Sequence, residues 1–315
     1  VKAYEPVITE ILFQNKTVSD NLVEFVTNIK ANTIFTENSN VVKMQAYTVG
    51  APSATGSMNL NDVILTPVKV MYYDEFDYEN LRPSRFNSTM GAGAWNTISS
   101  EFDRTVLSSI SSYIAQDCEA KFWNGSTTAT KTAVAALTAT ASQSGVGTQE
   151  KSYVAASPTS LFDGVVTTMI YNNGAVGGRN NVAGTTITSS NIDAEYAKVY
   201  AAIPSVLFSG SSPVQPFIYA PVSHKKLINV FNINQTYRDK FMVDGDRFFY
   251  LGVEIKFVPL EENIMIAALP TNIAWLCDLT SDMNFLLVDK IANNRDDMFY
   301  KSVFTMYAHV MRQSI

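Results

Sequence analysis

The sequence predicts an α+β fold, and three observations predict it. One uninterrupted helical period extends from about Trp95 to Trp123. Two runs with strand alternation flank a polar tip, and short apolar strands separated by turn residues fill the C-terminal half. Because 46% of the 315 residues are hydrophobic and only 17% are charged, the chain can bury a full core while much of its surface stays uncharged or is covered by partners.

The first forty residues are predicted to form an arm with one short helix. Ser19 and Asp20 are suited to cap that helix at its start. Its apolar residues are Leu22, Phe25, Val26 and Ile29.

A long β-hairpin is predicted over residues 41–80. Apolar and polar residues alternate from Val42 to Tyr47, and the alternation resumes from Ile64 to Tyr72. The tip between these strands, residues 50–62, is rich in turn formers and should project outward. Because an isolated two-stranded ribbon is at best marginally stable in water, we expect the hairpin to lie on another subunit.

The helix predicted over residues 95–123 has the strongest signal in the chain. Glu101 and Asp103 suit its start, and Gly125 is predicted to end it in the left-handed conformation. At about 1.5 Å per residue, such a helix is roughly 40 Å long and can serve as a rigid support for the rest of the subunit. Its apolar residues recur three or four positions apart: Ile98, Phe102, Val106, Ile110, Tyr113, Ile114, Cys118 and Phe122.

The stretch from Asn124 to Ser190 is dominated by Ala, Ser, Thr and Gly, which predicts loops and strands on a surface. One helix is predicted inside it, beginning at Ser157–Pro158 and stopping near Asn173–Gly174.

The C-terminal half is predicted to mix helices with short strands. Helices are expected over Ser190–Ile203, where Pro204 follows, and from Pro221 onward. A long final strand is expected over Phe299–Met311. The short strands are Phe217–Ala220, Phe248–Phe257, Ile264–Leu269, Ile273–Leu276 and Phe285–Val288.

Charge and composition exclude several classes of protein. A net charge of −6, with no basic cluster beyond Lys225–Lys226, argues against a protein that grips nucleic acid. No run of about 18 apolar residues is present, so we expect no membrane span. Cys118 and Cys277 lie in apolar runs, as buried free thiols of a reduced intracellular protein do. The start at Val1 is expected to be a trimmed or proteolysed end.

Templates for catalysis and for cofactor binding fail, so the chain is predicted to be no enzyme and to need no cofactor or metal. His224 and His309 are far apart and lack metal-site spacing. No nucleophile elbow, P-loop or dinucleotide fingerprint is present. The segment Val243–Asp246 is predicted to be a tight turn rather than a calcium loop.

The densest acidic group consists of Asp74, Glu75, Asp77 and Glu79. It follows the second strand of the predicted hairpin and alternates with aromatic residues. Its alternation favours an interface strand with paired charges, while a metal or acid–base site is the other interpretation. The candidate intersubunit contacts are Val42, Met44, Tyr47, Val68, Val70, Tyr72, Asp74, Glu75, Asp77, Glu79, Arg82 and Arg85.

The order of these elements resembles one known family. The segments that carry the likeness are Ile64–Met71, Phe76–Leu81 with Ser84, Glu119–Gly125, Phe217–Pro221 and Leu251–Ile255. In that order they resemble the major capsid protein of tailed bacteriophages, in the Hong Kong-type fold shared with herpesvirus floor domains and encapsulins.

The resemblance implies a domain organisation and a set of partners. The subunit would assemble with itself into hexamers and pentamers, enclose double-stranded DNA without sequence-specific binding, and meet other capsid, portal or decoration proteins without touching a membrane. It would be located in the virion capsid, after assembly in the bacterial host cytoplasm, with Val1 as a maturation cut. The implied parts are an arm (1–40), an extended loop (41–80), a peripheral domain (81–190 and 289–315, with a spine helix at 95–123 and a possible insertion at 124–157) and an axial domain (191–288).

Three alternatives stay open at this point. An encapsulin-like compartment would have the same fold and enclose cargo enzymes. A secreted β-rich binding protein would suit the Ser/Thr/Asn-rich middle, although the long helix and the missing signal peptide count against it. An enzyme would use the acidic cluster near Asp74.

Overall fold

The computed structural model combines two multi-stranded sheets, one long helix and one separate two-stranded hairpin. It describes residues 2–3, 16–30, 33–41, 43–47, 50, 53–77, 100–138, 146–171, 182–208, 214–235, 240–283, 285–291 and 297–311.

The helices and strands of these residues are numbered in chain order. The helices are α1 (Lys16–Ser19), α2 (Ser100–Asn124), α3 (Thr128–Ala136), α4 (Thr148–Ala156), α5 (Val165–Tyr171), α6 (Ile192–Ala202), α7 (Ser223–Asn234) and α8 (Thr280–Met283), with 3₁₀ turns at Ser205–Phe208 and Pro270–Asn272. The strands are β1 (Lys2–Ala3), β2 (Glu24–Val26), β3 (Thr33–Val41), β4 (Ser57–Leu65), β5 (Val68–Asp77), β6 (Phe217–Pro221), β7 (Phe241–Asp244), β8 (Arg247–Tyr250), β9 (Val253–Val258), β10 (Ile266–Ala268), β11 (Ile273–Cys277), β12 (Leu287–Lys290) and β13 (Asp297–Val310).

The six-stranded sheet is organised around β13, as its strong alternation predicts. This strand pairs antiparallel with β5, β11 and β12, while β1 joins β12 and β2 runs parallel to β11. Every second residue of its C-terminal half is buried, so one face is committed to the core. The buried residues are Ser302, Phe304, Met306, Ala308 and Val310.

Helix α2 packs against this sheet through its C-terminal half. Phe122 and Trp123 are completely buried, and the Phe122 ring stacks on Trp275 of β11 with centroids 4.4 Å apart. The predicted end of the helix is confirmed, but its predicted cause is wrong. Gly125 does not have a positive φ; it is required because a Cβ there would lie 2.5 Å from the Lys121 carbonyl oxygen. Residues 95–99 lie outside the described part of the chain.

The five-stranded sheet forms a second core. Its order is β10-β6-β9-β8-β7, and β6 and β9 are the parallel pair. Helices α6 and α7 contribute Tyr196, Ile228 and Phe231 to a cluster with Phe241 and Tyr250. The tight turn predicted over Val243–Asp246 is confirmed, since it joins β7 to β8 through a glycine with φ +60°.

The prediction of a helix that contains Leu22 to Ile29 is wrong. Helix α1 ends at Ser19, and Asn21 and Asn28 then adopt positive φ values of 50° and 69°, which interrupt a helix. The segment between them forms β2 on the edge of the sheet, because three anchors hold it there. Thr17 is bonded to α2, Tyr219 donates to the Leu22 carbonyl at 2.6 Å, and β2 pairs with β11.

The middle of the chain is more helical than its composition predicts, because α3 and α4 occupy what was expected to be loops and strands. The helix expected from Ser157–Pro158 begins only at Val165. Asp163 explains why this helix begins later than predicted. Its carboxylate accepts hydrogen bonds from the backbone N–H of Thr127 at 2.8 Å and from the Thr130 hydroxyl at 2.6 Å, which hold the segment before Val165 against the start of α3. The predicted stop at Asn173–Gly174 lies outside the described residues.

The other predictions for the C-terminal half agree with the structure in α6, α7, β6, β10, β11 and β12. The single strand predicted over Phe248–Phe257 is wrong, because Leu251 and Gly252 adopt positive φ and divide it into β8 and β9. One feature crosses the expected domain boundary. Strand β11 lies within residues 191–288 and β12 begins there, yet both pair with β13 in the six-stranded sheet. None of the described helices is long and apolar enough to span a bilayer.

Candidate intersubunit surface

The hairpin of β3 and β4 exposes a row of apolar side chains. Met58, Leu60 and Ile64 lie on one face of β4, where Asp62 stands between Leu60 and Ile64, and Ile34 stands opposite Ile64 on β3, so the four apolar residues share one face. Each is between 56% and 70% exposed. We call these four residues the apolar row. A folded chain gains nothing from an apolar side chain left in water, so the row indicates a surface that something else covers.

The register of this hairpin differs from the predicted one. The first strand was expected from Val42 to Tyr47, but residues 43–47 form no strand, and β3 ends at Val41. The residues of the opposite strand explain this difference. The start of β3 lies opposite Ile64 and Leu65, whereas in the same register residues 42–47 would lie opposite the turn-forming residues 50–56, which cannot continue the strand pair.

The base of the hairpin is anchored in the body of the subunit. Leu65 is buried in a small cluster with Ile29, Ala274 and Leu276. At the other end, Met44 and Tyr47 are fully exposed, and the Thr55 hydroxyl donates to Gln45 Oε1 at 3.1 Å across the tip. The tip residues therefore keep the exposure that the sequence predicts.

Strand β5 has one face in the core and one in solvent. Val70 is buried, Val68 is half-buried, and the Tyr72 hydroxyl donates to Asp117 of α2 at 2.6 Å. Burial raises the pKa of Tyr72 far above its usual range, so this hydroxyl stays protonated. These three candidate contacts are consequently occupied within their own subunit.

The opposite face of β5 presents Met71 and Tyr73, which are both exposed. The Tyr73 ring lies 5.7 Å from that of Phe299 on β13, and its hydroxyl donates to Glu75. This hydrogen bond is the main cause that raises the pKa of Tyr73. The solvent face of β5 is thus a second partly apolar surface with acidic residues at one end.

The acidic candidates are only partly described. Asp74 and Glu75 are exposed on β5, and Asp77 ends the strand opposite Asp297. Within the described ranges, no three His, Cys, Asp or Glu side chains are grouped as a metal site requires. Val42, Glu79, Arg82 and Arg85, like the side chain of Asp77, lie outside the described residues.

The histidines and cysteines occupy structural positions. His224 lies between the Tyr196 hydroxyl at 3.1 Å and the Glu262 carbonyl at 2.8 Å, and burial lowers its pKa. Burial raises the pKa of Cys118 to about 12 and that of Cys277 to about 11. Both thiols therefore stay protonated at neutral pH, and neither is an activated nucleophile.

Sequence reasoning missed the apolar row. The signal was the alternation of Met58, Leu60 and Ile64, but the Asn residues between them made residues 50–62 look like one polar tip. The row becomes visible only when Ile34 is placed opposite Ile64.

No protein-family model matches this chain, and no curated protein does. Solved structures do. A chain of the satellite phage P4 procapsid, which includes the size determination protein, is 8% identical with a TM-score of 0.52, covering 98% of this chain and 95% of its own. A chain of Gordonia phage Cozz is 9% identical with a TM-score of 0.51 (94% and 84%). A chain of the native GTA particle capsid is 10% identical with a TM-score of 0.50 (95% and 87%). At such identities the likeness establishes the fold, and the α+β capsid-type fold predicted from the sequence is confirmed.

Proposed function

We propose, from the fold that this chain shares with phage capsid structures, that it is a structural subunit of an icosahedral shell and has no catalytic role. It assembles with itself into hexamers and pentamers in the host cytoplasm. The resulting shell encloses double-stranded DNA in the virion. The observation that carries the proposal is the apolar row on a hairpin that extends from the subunit body.

The hairpin supplies the reason for assembly. Burying one large aliphatic side chain stabilises a contact by about 1.5–3 kcal/mol, so covering the apolar row contributes several kcal/mol per contact before entropy costs. In the proposed shell the hairpin lies on a different patch of the neighbour. Repeated contacts between two different patches close rings and shells.

The proposed domains follow the two sheets. The six-stranded sheet with α2 forms the peripheral domain, and the five-stranded sheet with α6 and α7 forms the axial domain. The extended loop is β3 and β4 with their tip. Among the predicted contacts, Met44, Tyr47, Asp74 and Glu75 are supported by their exposure.

The acidic chain suits an enclosing wall. With a net charge of −6, it lacks the clustered basic residues that hold phosphates tightly, so DNA is retained by enclosure rather than by sequence-specific binding. Portal and decoration proteins remain proposed partners of the assembled shell, and no membrane takes part.

Electron microscopy and light scattering of the purified protein test the shell. We expect closed particles from the wild type, and dissociated but folded subunits from the double variant Leu60→Ser, Ile64→Ser. Leu161→Ser is the matched control, because Leu161 is equally exposed outside the hairpin, and it should still assemble. A small monodisperse particle from the wild type under all assembly conditions would refute the proposal.

The content of the shell is tested separately. Particles purified from cells are treated with nuclease and then opened. Protected double-stranded DNA is the expected content, whereas a protein cargo without DNA would contradict the capsid assignment and leave the shell itself in place.

A further inference from the structure

A large cavity lies between the two hydrophobic cores of the subunit. Helices α4 and α5 contribute one wall, and α6 with the turn that joins β9 to β10 contributes the other. Its volume is about 790 Å³, which is inside the range of roughly 300–1,000 Å³ that small-molecule sites occupy. Such sites are found preferentially where two packed units of a protein meet.

The interior of the cavity is apolar and belongs to both cores. Val166 and Ile170 of α5 are buried members of the cluster around the six-stranded sheet, whereas Val199 of α6 packs against the cluster of the five-stranded sheet. Ile203 and Ile266 are buried and complete this part of the lining. An apolar surface of this kind favours the apolar part of a ligand over water.

The polar part of the lining carries negative charge without a positive counterpart. Among the described residues that line the cavity there is no Lys, Arg or His. Glu195 is paired with Lys198 at 2.8 Å, whereas Glu261 and Glu262 are exposed on the turn between β9 and β10. The lining carboxylates are those of Glu150, Glu195, Glu261 and Glu262.

One end of the cavity combines a carboxylate with an aromatic ring. Tyr153 of α4 lines the cavity, and its hydroxyl donates to Asn124 Oδ1 at 2.8 Å. Burial raises the pKa of Tyr153, and the negative charge of Glu261 raises it further, so this carboxylate lies near the ring. His224 donates to the Glu262 carbonyl at 2.8 Å, and it adds no positive charge at neutral pH because burial lowers its pKa. A carboxylate beside an aromatic face attracts an organic cation.

We infer that this cavity binds a small organic cation, a molecule with an apolar body and a protonated amine. The apolar body lies between α5 and α6, and the amine lies at Glu261 and Glu262 beside the Tyr153 ring. An anion with the same apolar body is rejected, because its charge would meet these carboxylates without a basic partner. The site is contained within one subunit, so the inference does not rest on the proposed shell.

Two probes of opposite charge test the class of ligand. Naphthylmethylammonium and naphthoate share an apolar body and differ in the sign of their charge. Isothermal titration calorimetry on dissociated wild-type subunits should show that the cation binds about tenfold or more tightly than the anion. Equal affinities for the two probes, or no binding of the cation, would overturn the inference.

Methyl NMR on methionine-labelled subunits tests the location of binding. Met169 and Met265 line the cavity, whereas Met58 and Met242 are exposed elsewhere and serve as internal controls. The ring current of bound naphthylmethylammonium should shift the methyl resonances of Met169 and Met265 and leave those of the two controls unchanged. Substitution of each methionine by leucine assigns its resonance. Binding that leaves both cavity methionines unshifted would overturn the inference.

A charge variant tests the role of the carboxylates. Glu261→Gln with Glu262→Gln should reduce the preference for the cation about fivefold or more, and naphthoate should bind at least as well as to the wild type. The matched control, Asp244→Asn with Asp246→Asn, removes two charges at the turn between β7 and β8, outside the cavity lining, and should keep the full preference. A preference that survives in the glutamine variant would overturn the inference. If that variant does not fold, the two measurements on the wild-type sequence decide.

Discussion

Two antiparallel strand pairs of almost equal length behave differently in this chain. The β5–β13 pair joins ten residues of each strand, and the β3–β4 pair joins nine. The first has one face packed under α2, with Phe304 and Met306 completely buried. The second holds four apolar side chains in solvent. The difference teaches that strand pairing alone does not stabilise either pair of strands. Burial of one face does, and we propose that another subunit covers the apolar face of the hairpin.

The cross-strand pairs explain why the hairpin is the weaker of the two. Near its base the hairpin pairs Ile34 with Ile64 and Phe35 with Val63, but towards the tip the pairs include Asn38 with Leu60 and Ser39 with Asn59. Such pairs contribute little beyond the backbone hydrogen bonds. The β5–β13 pair contains Tyr72, whose ring stacks on Phe304 with centroids 6.0 Å apart. We therefore expect the hairpin to open locally at low free energy in a dissociated subunit, and β13 to open only with global unfolding.

The largest effect on subunit stability should come from Trp275→Ala. The Trp275 ring is completely buried against Phe122, and its removal leaves a cavity in the sheet core. We expect a loss of about 3–5 kcal/mol in the free energy of unfolding, measured by urea denaturation of dissociated subunits. Leu60→Ala on the hairpin is the control and should change this free energy by less than about 0.5 kcal/mol. Equal losses from the two variants would contradict the comparison.

The sequence predicts the elements that bury a long periodic face. Helix α2 and strand β13 are examples, since each repeats its apolar period over many residues and no single tertiary contact is needed to select it. The short segments fail for the opposite reason. Thr17 lies in α1 because Glu119 accepts its N–H at 2.9 Å, and Glu119 is 102 residues away. Helix α3 is only nine residues long, and the backbone N–H of its N-cap residue, Thr127, donates to the carboxylate of Asp163, 36 residues away.

The candidate surface was predicted in part for a similar reason. Alternation predicted one strand from Ile64 to Tyr72, which the structure divides between β4 and β5, and it could not tell which face of β5 is covered by α2. Tyr72 was therefore expected at an interface, although it bonds to Asp117, while Met71 was not considered. The register of β3 depends on the opposite strand, which no local pattern contains.

Lowering the pH should reduce the stability of the six-stranded sheet through a histidine on β13. The hairpin strands have no such contribution, because neither contains a histidine. Burial lowers the pKa of His309 on β13 from 6.5 to about 4. Between these values the unfolded chain binds more protons than the folded chain, so this histidine favours unfolding as the pH falls from 6.5 towards 4. We expect it to remove up to about 2 kcal/mol of stability between pH 7 and pH 5.

The variant His309→Gln isolates that contribution. Its unfolding free energy should fall less than that of the wild type between pH 7 and pH 5, as measured by urea denaturation at both values. His224, whose pKa is also lowered by burial, keeps a residual dependence of the same sign in both proteins. An unchanged pH dependence in His309→Gln would show that other groups titrate instead.

The smallest effect adds a third antiparallel strand pair to the comparison, the hairpin formed by β8 and β9. Its turn residues Leu251 and Gly252 both have positive φ, 46° and 89°, and leucine is poorly suited to that conformation. The neighbouring strands of the five-stranded sheet fix the register of β8 and β9. The strained turn is therefore tolerated, although it does not itself determine that register. Leu251→Asn should therefore raise the free energy of unfolding by about 0.5–1 kcal/mol. Gly252→Ala is the matched control: a Cβ there meets nothing within 4 Å, so its expected loss of about 1 kcal/mol is conformational alone. If Leu251→Asn destabilises the dissociated subunit instead, the side chain packs locally and the turn, rather than the sheet, holds this hairpin together.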